Sequence, residues 1–470
     1  MIARPENGED ERREGEGKRK RRKASEETRA PRTRTLVVVP ALKRPLKTRG
    51  VANADAQIHS PENRLAEAVG LAKAIDLDII DSAVVPIAEP RPSTLLGSGK
   101  VEEIKDRVAE LEIGLVVVDY NITPVQQRNL EKAWNAKVLD RTGLILEIFG
   151  ERARTREGVL QVELAHLTYQ KGRLVRAWTH LERQRGGGGF LGGPGEAQIE
   201  LDRRMLQDRI DAIKKDLAEV VKTRDLHRKG RRKVPYPIVA IVGYTNAGKS
   251  TLFNKITGAG VVAMDQVFAT LDPTMREVKL PSARRIILSD TVGFISDLPT
   301  MLVAAFRATL EEVVEADLIL HVRDIAHEET EAQAQDVEKV LSELGIDTLP
   351  IESNILEVWN KIDLLSSDRR SELQHEVQRN ARPPVLVSAE TGEGMAPLLE
   401  TIDTRLGASD EIIDVIVPGS AGALLNWLHE TTDVLAREAR KDGGIELRLR
   451  IPSEKKDRVI GQLRKNGISV

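Results

Sequence analysis

Eight consecutive residues in the middle of the chain have the types and spacing of a phosphate-binding loop. Gly243 to Ser250 matches the pattern G-x-x-x-x-G-K-S, follows the apolar run Ile238 to Val242 and precedes a predicted helix starting near Thr251. Glycines let backbone N–H groups converge on phosphate oxygens, and the start of a helix favours negative charge. We expect Lys249 to neutralise the β- and γ-phosphates of a nucleotide and the Ser250 hydroxyl to bind Mg²⁺. The expected nucleotide-binding residues here are Gly243, Tyr244, Thr245, Asn246, Ala247, Gly248, Lys249, Ser250 and Thr251.

A second segment carries the groups expected around the metal and the terminal phosphate. The apolar run Ile286 to Leu288 predicts a strand, and it is followed by Asp290, Thr291, Val292 and Gly293. We expect the carboxylate of Asp290 to hold the metal through a water molecule. The backbone N–H of Gly293 can contact the γ-phosphate, so this residue and Lys249 are predicted to act in catalysis.

Two further segments have the residues needed to recognise a guanine base. Asp363, in Asn360-Lys361-Ile362-Asp363, can accept hydrogen bonds from the N1–H and the 2-amino group of guanine. Adenine has no such donors there, so a site built for this pairing rejects ATP. Backbone N–H groups of Ser388, Ala389 and Glu390 could contact the guanine oxygen. All four segments follow predicted strands in the order that a GTP site needs.

Two residues bear on how hydrolysis would be accelerated. Phe294 occupies the position where a Ras-like enzyme has a glutamine that orients the attacking water. Phenylalanine cannot orient water, so the sequence predicts slow intrinsic hydrolysis and activation by a partner. Asn246 has the position of an asparagine that helps to hold a monovalent cation in some GTPases. It gives the hypothesis that K⁺ acts besides Mg²⁺, by stabilising developing charge.

Composition limits the classes of protein that the chain can represent. Its 470 residues suggest about three domains, and a net charge of −2 excludes a uniformly basic nucleic-acid coat protein. The absence of cysteine excludes disulfides, thiolate metal sites and cysteine nucleophiles. No apolar run approaches the ~18 residues of a membrane-spanning helix. We therefore expect a cytoplasmic protein, acting as a monomer.

The elements that must position these residues predict an α/β multidomain fold. Residues 1–50 are predicted to be a disordered charged tail, although the apolar run Leu36 to Val39 within them looks like a buried strand. Residues 51–157 are predicted to be an N-terminal α/β domain, because strand-like runs alternate with helical segments, which indicates a small parallel sheet with crossover helices. The G domain with its P-loop is expected over residues 233–407. Residues 408–470 predict a small α+β domain with a strand over 412–417, a helix over 421–440, a strand over 444–451 and a last helix over 454–466.

Residues 158–232 predict a basic antiparallel helical hairpin. Apolar residues recur with heptad-like spacing in two stretches joined by a glycine-rich loop. The segment from Arg152 to Lys233 contains 20 Lys and Arg residues against 11 Asp and Glu, a net charge of +9. That charge fits a nucleic-acid contact or a solvated outer face. Seven glycines lie between residues 186 and 195 beside Phe190 and Leu191. Such a glycine-rich loop is typical of an effector loop that becomes ordered only on its target, where Phe190 could stack on an unpaired base. The alternative is a plain linker.

Together these segments resemble the TRAFAC-type small GTPases, and a fifth segment narrows the resemblance. Phe268 to Thr274 is similar to the F-x-T-L-x-P pattern of the Obg–HflX superfamily. The glycine-rich loop and Leu95 to Ile104 resemble the HflX family in particular. By this resemblance Thr270 is the first-switch threonine that binds Mg²⁺ and takes part in catalysis. The resemblance also implies nucleotide contacts from Phe268, Ala269, Thr270, Leu271 and Asp272.

The resemblance to the HflX family covers residues 62–406 and implies a ribosome-associated GTPase. Its members bind the large ribosomal subunit, and some split stalled ribosomes during stress. The hairpin and its loop would then reach ribosomal RNA, with contacts expected from Arg185, Phe190 and Leu191.

Two other functions remain open on the sequence. One is a GTP-dependent switch whose hairpin docks on a protein partner. The other is an RNA-remodelling ATPase, which Asn360 to Asp363 argues against.

Overall fold

The computed structural model describes residues 32–42, 59–184, 194–231, 236–258, 268, 274–299, 307–346, 354–407, 410–440, 443–451 and 456–468. The strands are β1 Arg34–Leu42, β2 Asp78–Ile87, β3 Leu115–Val118, β4 Lys137–Asp140, β5 Ile238–Gly243, β6 Thr274–Lys279, β7 Arg285–Asp290, β8 Leu318–Asp324, β9 Ile355–Asn360, β10 Val385–Leu386, β11 Glu411–Pro418, β12 Asp433–Ala439 and β13 Gly444–Ile451. The α-helices are α1 Pro61–Lys73, α2 Ser98–Glu110, α3 Pro124–Trp134, α4 Arg141–Arg152, α5 Arg156–Gln184, α6 Pro194–Arg231, α7 Lys249–Thr257, α8 Arg307–Val314, α9 Thr330–Glu343, α10 Ser367–Arg379, α11 Met395–Gly407, α12 Gly422–Thr431 and α13 Lys456–Lys465.

The small parallel sheet predicted for the N-terminal domain is confirmed, but the predicted disordered tail over residues 1–50 is wrong for strand β1, which lies within it. The apolar run Leu36 to Val39 is ordered because it pairs with both β2 and β3. The four strands of the sheet have the order β2-β1-β3-β4, and every pairing is parallel. Strand β1 is buried on both faces, because Leu36 and Val38 belong to one apolar cluster whereas Val37 and Val39 belong to another. An apolar run without alternation is typical of such a doubly covered parallel strand.

The G domain contains a six-stranded sheet in the order β10-β9-β8-β5-β7-β6, in which only β6 runs antiparallel. Strand β5 lies between β8 and β7 near the centre. The strand order reverses there, and ligands of open α/β sheets bind at the carboxyl ends of the strands beside such a point. This topology places the segment after β5 at the expected ligand site.

The predicted antiparallel hairpin is formed by the two longest helices, α5 and α6. Arg209 pairs with Glu163 at 2.7 Å, and Lys171 donates to Gln207. Residue numbers rise on one helix while they fall on the other, which is the signature of antiparallel packing. The predicted contact residues Arg185, Phe190 and Leu191 lie outside the described residues.

The C-terminal domain corrects one prediction. The helix predicted over 421–440 ends at Thr431, and residues 433–439 form strand β12 instead. Strand β12 pairs antiparallel with β13, which also pairs with β11. The spacing of apolar residues over 421–440 suits a helix. However, residues 433–439 can form hydrogen bonds with the edge of β13, and such tertiary pairing overrides the local preference.

One apolar cluster joins the N-terminal domain to the G domain. Its members from α4 and from the G domain include Leu144, Ile145, Ile148, Phe149, Tyr244, Phe268, Val292, Phe294 and Ile295. Contacts therefore run between the N-terminal sheet and the segments predicted to bind nucleotide. None of the helices within the described residues is long and apolar enough to cross a bilayer.

Candidate nucleotide-binding site

The predicted phosphate loop follows β5 and leads into α7. At two positions of the loop, neighbouring backbone or side-chain atoms lie so close that only glycine fits. A Cβ at Gly243 would lie 2.2 Å from the carbonyl oxygen of Val322, and one at Gly248 would lie 2.2 Å from Nδ2 of Asn360. Gly248 also has a φ of 89°, which glycine adopts without strain. The loop is therefore held against β8 and β9, with the start of α7 facing the ligand edge.

Lys249 lies buried near the end of this loop, as the first residue of α7. Its Nζ donates a hydrogen bond to the carbonyl oxygen of Tyr244 at 2.6 Å. Burial lowers the pKa of Lys249 to about 8. A Cβ at Gly293 would lie 3.1 Å from this Nζ, so the backbone after β7 passes beside the lysine. The two residues predicted to contact the γ-phosphate are therefore neighbours.

Two of the three residues predicted for Mg²⁺, Ser250 at the start of α7 and Asp290 at the end of β7, are brought together. The Ser250 hydroxyl donates to Oδ2 of Asp290 at 2.8 Å. Asp290 is buried, and both groups present hard oxygen ligands of the kind that Mg²⁺ prefers. The donor set therefore fits the ion that P-loop GTPases generally use. Ala269, Thr270, Leu271 and Asp272 lie outside the described residues.

The predicted guanine-binding segments meet at the other end of the loop. Asn360 donates through Nδ2 to the carbonyl oxygen of Ala247 and accepts through Oδ1 from the N–H of Ala389, both at 2.9 Å. One side chain thus ties the phosphate loop to the segment Ser388 to Glu390. Asp363 lies half-buried in the short 3₁₀ helix that follows β9. The segments predicted to contain base-recognition residues are therefore adjacent.

Asp324 supports this end of the site, although no motif in the sequence includes it. Its Oδ2 pairs with Nζ of Lys361 at 2.7 Å. Lys361 has a φ of 66°, a strained backbone position for a residue with a Cβ. The ion pair fixes the turn between Asn360 and Asp363. Its position at the carboxyl end of β8 was the only sequence signal for Asp324.

The side chain of Phe294 lies in the apolar core, and its backbone forms hydrogen bonds with the phosphate loop. Its N–H donates to the carbonyl oxygen of Gly243 at 3.1 Å, and its carbonyl oxygen accepts from Thr245 N–H at 2.7 Å. The side chain is fully buried among residues of the shared cluster. It therefore offers no polar atom to an attacking water, in agreement with the expectation from its type.

A polar cluster between the two domains was missed by the sequence analysis. Ser296, two residues after Phe294, contacts Arg141 and Glu67 of the N-terminal domain. Tyr244 of the phosphate loop donates from its hydroxyl to Oε1 of Glu67 at 3.1 Å. These residues are far apart in the chain, and no local pattern marks Glu67 or Arg141. Only the docking of the domains brings them together.

A second polar contact between the domains lies at the start of α1. His59 contacts Oε2 of Glu329 at 2.7 Å through Nδ1 and Oδ2 of Asp336 at 2.8 Å through Nε2. Burial by itself lowers the pKa of His59, but the two carboxylate partners raise it to about 9. The N–H of Ser60 also donates to Glu329, at 2.6 Å. The imidazolium is thus held between two carboxylates of the G domain.

Comparison with known families covers most of the chain. Family models match residues 62–150 (GTP-binding GTPase N-terminal), 152–231 (GTP-binding GTPase middle region), 238–361 (50S ribosome-binding GTPase) and 374–467 (HflX C-terminal domain). The last match extends the similarity beyond residue 406, where the resemblance recognised in the sequence ended.

Two HflX proteins are similar to this chain over most of its length. The chain is 53% identical over 371 residues to GTPase HflX of Magnetococcus marinus, covering 79% of this chain and 84% of that protein. It is 44% identical over 364 residues to GTPase HflX of Escherichia coli, covering 77% and 84%. A crystal structure of a GTP-binding protein from Sulfolobus solfataricus with GDP matches at 22% identity and a TM-score of 0.41, covering 79% and 98%. The chain belongs to the HflX family and is a GTP-binding protein that hydrolyses GTP.

Proposed function

We propose that this GTPase binds the large ribosomal subunit in its GTP state and splits or recycles ribosomes under stress, with hydrolysis timing release. The basic helical hairpin carries the proposal. Helices α5 and α6 follow the N-terminal domain in the chain. The segment from Arg152 to Lys233 has a net charge of +9 on a chain with a net charge of −2. Such a charge distribution suits ribosomal RNA phosphates. The match of residues 238–361 to a family described as 50S ribosome-binding GTPases supports the same partner.

The nucleotide contacts follow from the site. We infer that Gly243 to Thr251 hold the phosphates, that Asp363 binds the guanine base, and that Gly293 contacts the γ-phosphate. Ser250, Thr270 and, through water, Asp290 would hold Mg²⁺, which when bound neutralises charge on the β- and γ-phosphates. Arg185, Phe190 and Leu191 are the proposed ribosome contacts.

The test is GTP turnover with and without purified large ribosomal subunits, with ATP as the control nucleotide. We expect strong stimulation of GTP turnover by the subunits and none of ATP turnover. Binding to the subunits should weaken steeply with salt, since each neutralised phosphate releases counterions. Intact GTP binding without stimulation would contradict the ribosomal proposal.

A protein partner is the second candidate, and one observation favours it. Leu201 and Met205 on α6 are 51% and 61% exposed. Exposed apolar side chains on a helix suit docking of another protein. Binding that changes little with salt and is lost in the double variant Leu201→Ser/Met205→Ser would favour this candidate.

A monovalent cation is a separate proposal that rests on Asn246. This residue is exposed in the phosphate loop and has a φ of 60°. We infer that K⁺ assists hydrolysis from this position. Turnover should be higher in K⁺ than in Na⁺ at matched ionic strength, and the difference should vanish in Asn246→Ala. Equal rates in the two salts for the unsubstituted protein would contradict the proposal.

A further inference from the structure

Every polar group of Ser296 is engaged at the domain interface. Its N–H donates to the Tyr244 hydroxyl oxygen at 2.8 Å, and its hydroxyl donates to Oε2 of Glu67 at 2.7 Å. Arg141 donates to its carbonyl oxygen at 2.7 Å and to its hydroxyl oxygen at 2.9 Å. A serine with four such contacts is fixed in position. It lies three residues after Gly293, so the backbone beside Lys249 is fixed as well.

The groups that hold Ser296 belong to a set of four largely buried charges. Arg141 pairs with Asp119 at 2.5 Å and with Glu67 at 3.1 Å. Arg64 pairs with Asp119 at 3.2 Å. Two guanidinium groups thus face two carboxylates, and removing one charge leaves the set with a net charge that burial makes costly. We call Arg64, Glu67, Asp119 and Arg141 the polar socket; two of its members, Glu67 and Arg141, contact Ser296 in the chain after Gly293.

Tyr244 links this socket to the phosphate loop. Its backbone belongs to the loop, and its carbonyl oxygen accepts from Lys249. Its hydroxyl bridges Glu67 and Ser296. A movement of Glu67 is therefore transmitted to the loop through Tyr244 and to the backbone near Gly293 through Ser296.

Helix α4 makes a second contact with the predicted switch segments. Arg141 opens this helix, and Phe149 follows two turns later. The Phe149 ring packs against Phe268 with 4.6 Å between ring centroids. Phe268 begins the predicted first switch. One helix of the N-terminal domain thus contacts the start of one switch and the segment after Gly293.

We propose that Glu67 is a positioning residue for GTP: it acts through Ser296 and Tyr244 to keep the Gly293 backbone beside Lys249, where the γ-phosphate would bind. GDP has no γ-phosphate, so the contact discriminates between the two nucleotides. A residue that stabilises one of two conformations of a segment raises the affinity only for a ligand that binds that conformation more tightly. This inference rests on GTP binding and is independent of the ribosomal proposal.

The first experiment compares nucleotide affinities of Glu67→Gln with those of the unsubstituted chain. We expect the affinity for a non-hydrolysable GTP analogue to fall about tenfold, as for one lost charge-assisted hydrogen bond, and the affinity for GDP to stay within about twofold. Glu62→Gln, an exposed position on the same helix, is the matched control and should change neither affinity. Equal losses for both nucleotides, or no loss, would overturn the proposal.

A double-mutant cycle tests the route. Ser296→Ala removes only a hydroxyl that donates to Glu67 and accepts from Arg141. If Glu67 acts through Ser296, the effect of Glu67→Gln on the GTP-analogue affinity should shrink in the Ser296→Ala background. Additive effects would overturn the route. A thermal melt of each variant shows that it is folded, and a fallen melting temperature with an unchanged GTP-to-GDP affinity ratio would identify a structural role only.

Discussion

Asp363 is the residue expected to set the choice of base. In Asp363→Asn the carboxylate expected to accept from two guanine N–H groups is replaced by an amide that can accept only through its oxygen. We expect GDP affinity to fall by about 100-fold, since a hydrogen bond to a charged group contributes about 1.5–3 kcal/mol. Titration with a fluorescent GDP measures the change. Asp368→Asn, at an exposed site on α10, is the control. An unchanged GDP affinity in Asp363→Asn would remove this residue from the site.

His59 gives the domain interface a defined pH dependence. Its pKa is raised from 6.5 to about 9, so its contribution to stability is complete below pH 6.5 and is lost as the pH rises through 9. The pKa of Glu329 is lowered from 4.5 to about 2, because hydrogen bonds from Ser60 and His59 outweigh the effect of burial. Its contribution is therefore present above pH 4.5. The contribution of both groups to the free energy of unfolding is therefore complete between pH 4.5 and 6.5.

The variant His59→Gln tests this pH dependence. We expect the free energy of unfolding to fall less between pH 6.5 and 9 in His59→Gln than in the unsubstituted chain. Urea unfolding at the two pH values measures it. His375→Gln, at an exposed position on α10, should keep the original slope. The same slope in both variants would show that His59 does not titrate as described.

At the scale of elements, Arg284 joins the G domain to the chain that enters the C-terminal sheet. Its guanidinium donates to the carbonyl oxygen of Leu406 at 2.8 Å and pairs with Asp410 at 2.6 Å and Asp403 at 3.4 Å. All three side chains are at most 11% exposed. Arg284→Met leaves both carboxylates without this partner. We expect a loss of about 3–5 kcal/mol in the free energy of unfolding.

The neighbouring Arg285 provides the control for Arg284. It pairs with Glu277 at 3.2 Å, but the two side chains are 52% and 50% exposed. Arg285→Met should therefore cost less than about 1 kcal/mol. Denaturant unfolding of the two variants makes the comparison. Equal losses would contradict the assignment of Arg284 as the buried anchor.

At the scale of the whole molecule, Phe294 lies in the core shared by the N-terminal and G domains. Phe294→Gln restores the residue type that Ras-like enzymes use, but it places an amide in an apolar core. We expect the free energy of unfolding to fall by about 2–4 kcal/mol and intrinsic GTP turnover not to rise. Phe294→Leu keeps the site apolar and should lose less. Faster single-turnover hydrolysis in a fully stable Phe294→Gln would contradict this expectation.

The sequence predicted the parts of the fold and site that depend on local patterns. The loop from Gly243 to Ser250 requires a strand, glycines at fixed spacing and a helix, and all three are encoded within about fifteen residues. The parallel sheet around β1 and the two hairpin helices were likewise predicted from the spacing of apolar residues. These signals are local because hydrogen bonding within an element, or burial of one face, acts over a few residues.

Tertiary structure alone decided the features that depend on distant pairing. Residues 433–439 became strand β12 because β13 had a free edge, whereas their own pattern favoured a helix. Glu67 and Ser296 are 229 residues apart and meet only because the domains dock. No local pattern marks a buried carboxylate whose partners lie in another domain, since its desolvation is compensated only after docking. By itself the sequence determined a guanine-nucleotide site. The fold decided which residues of the N-terminal domain contact it.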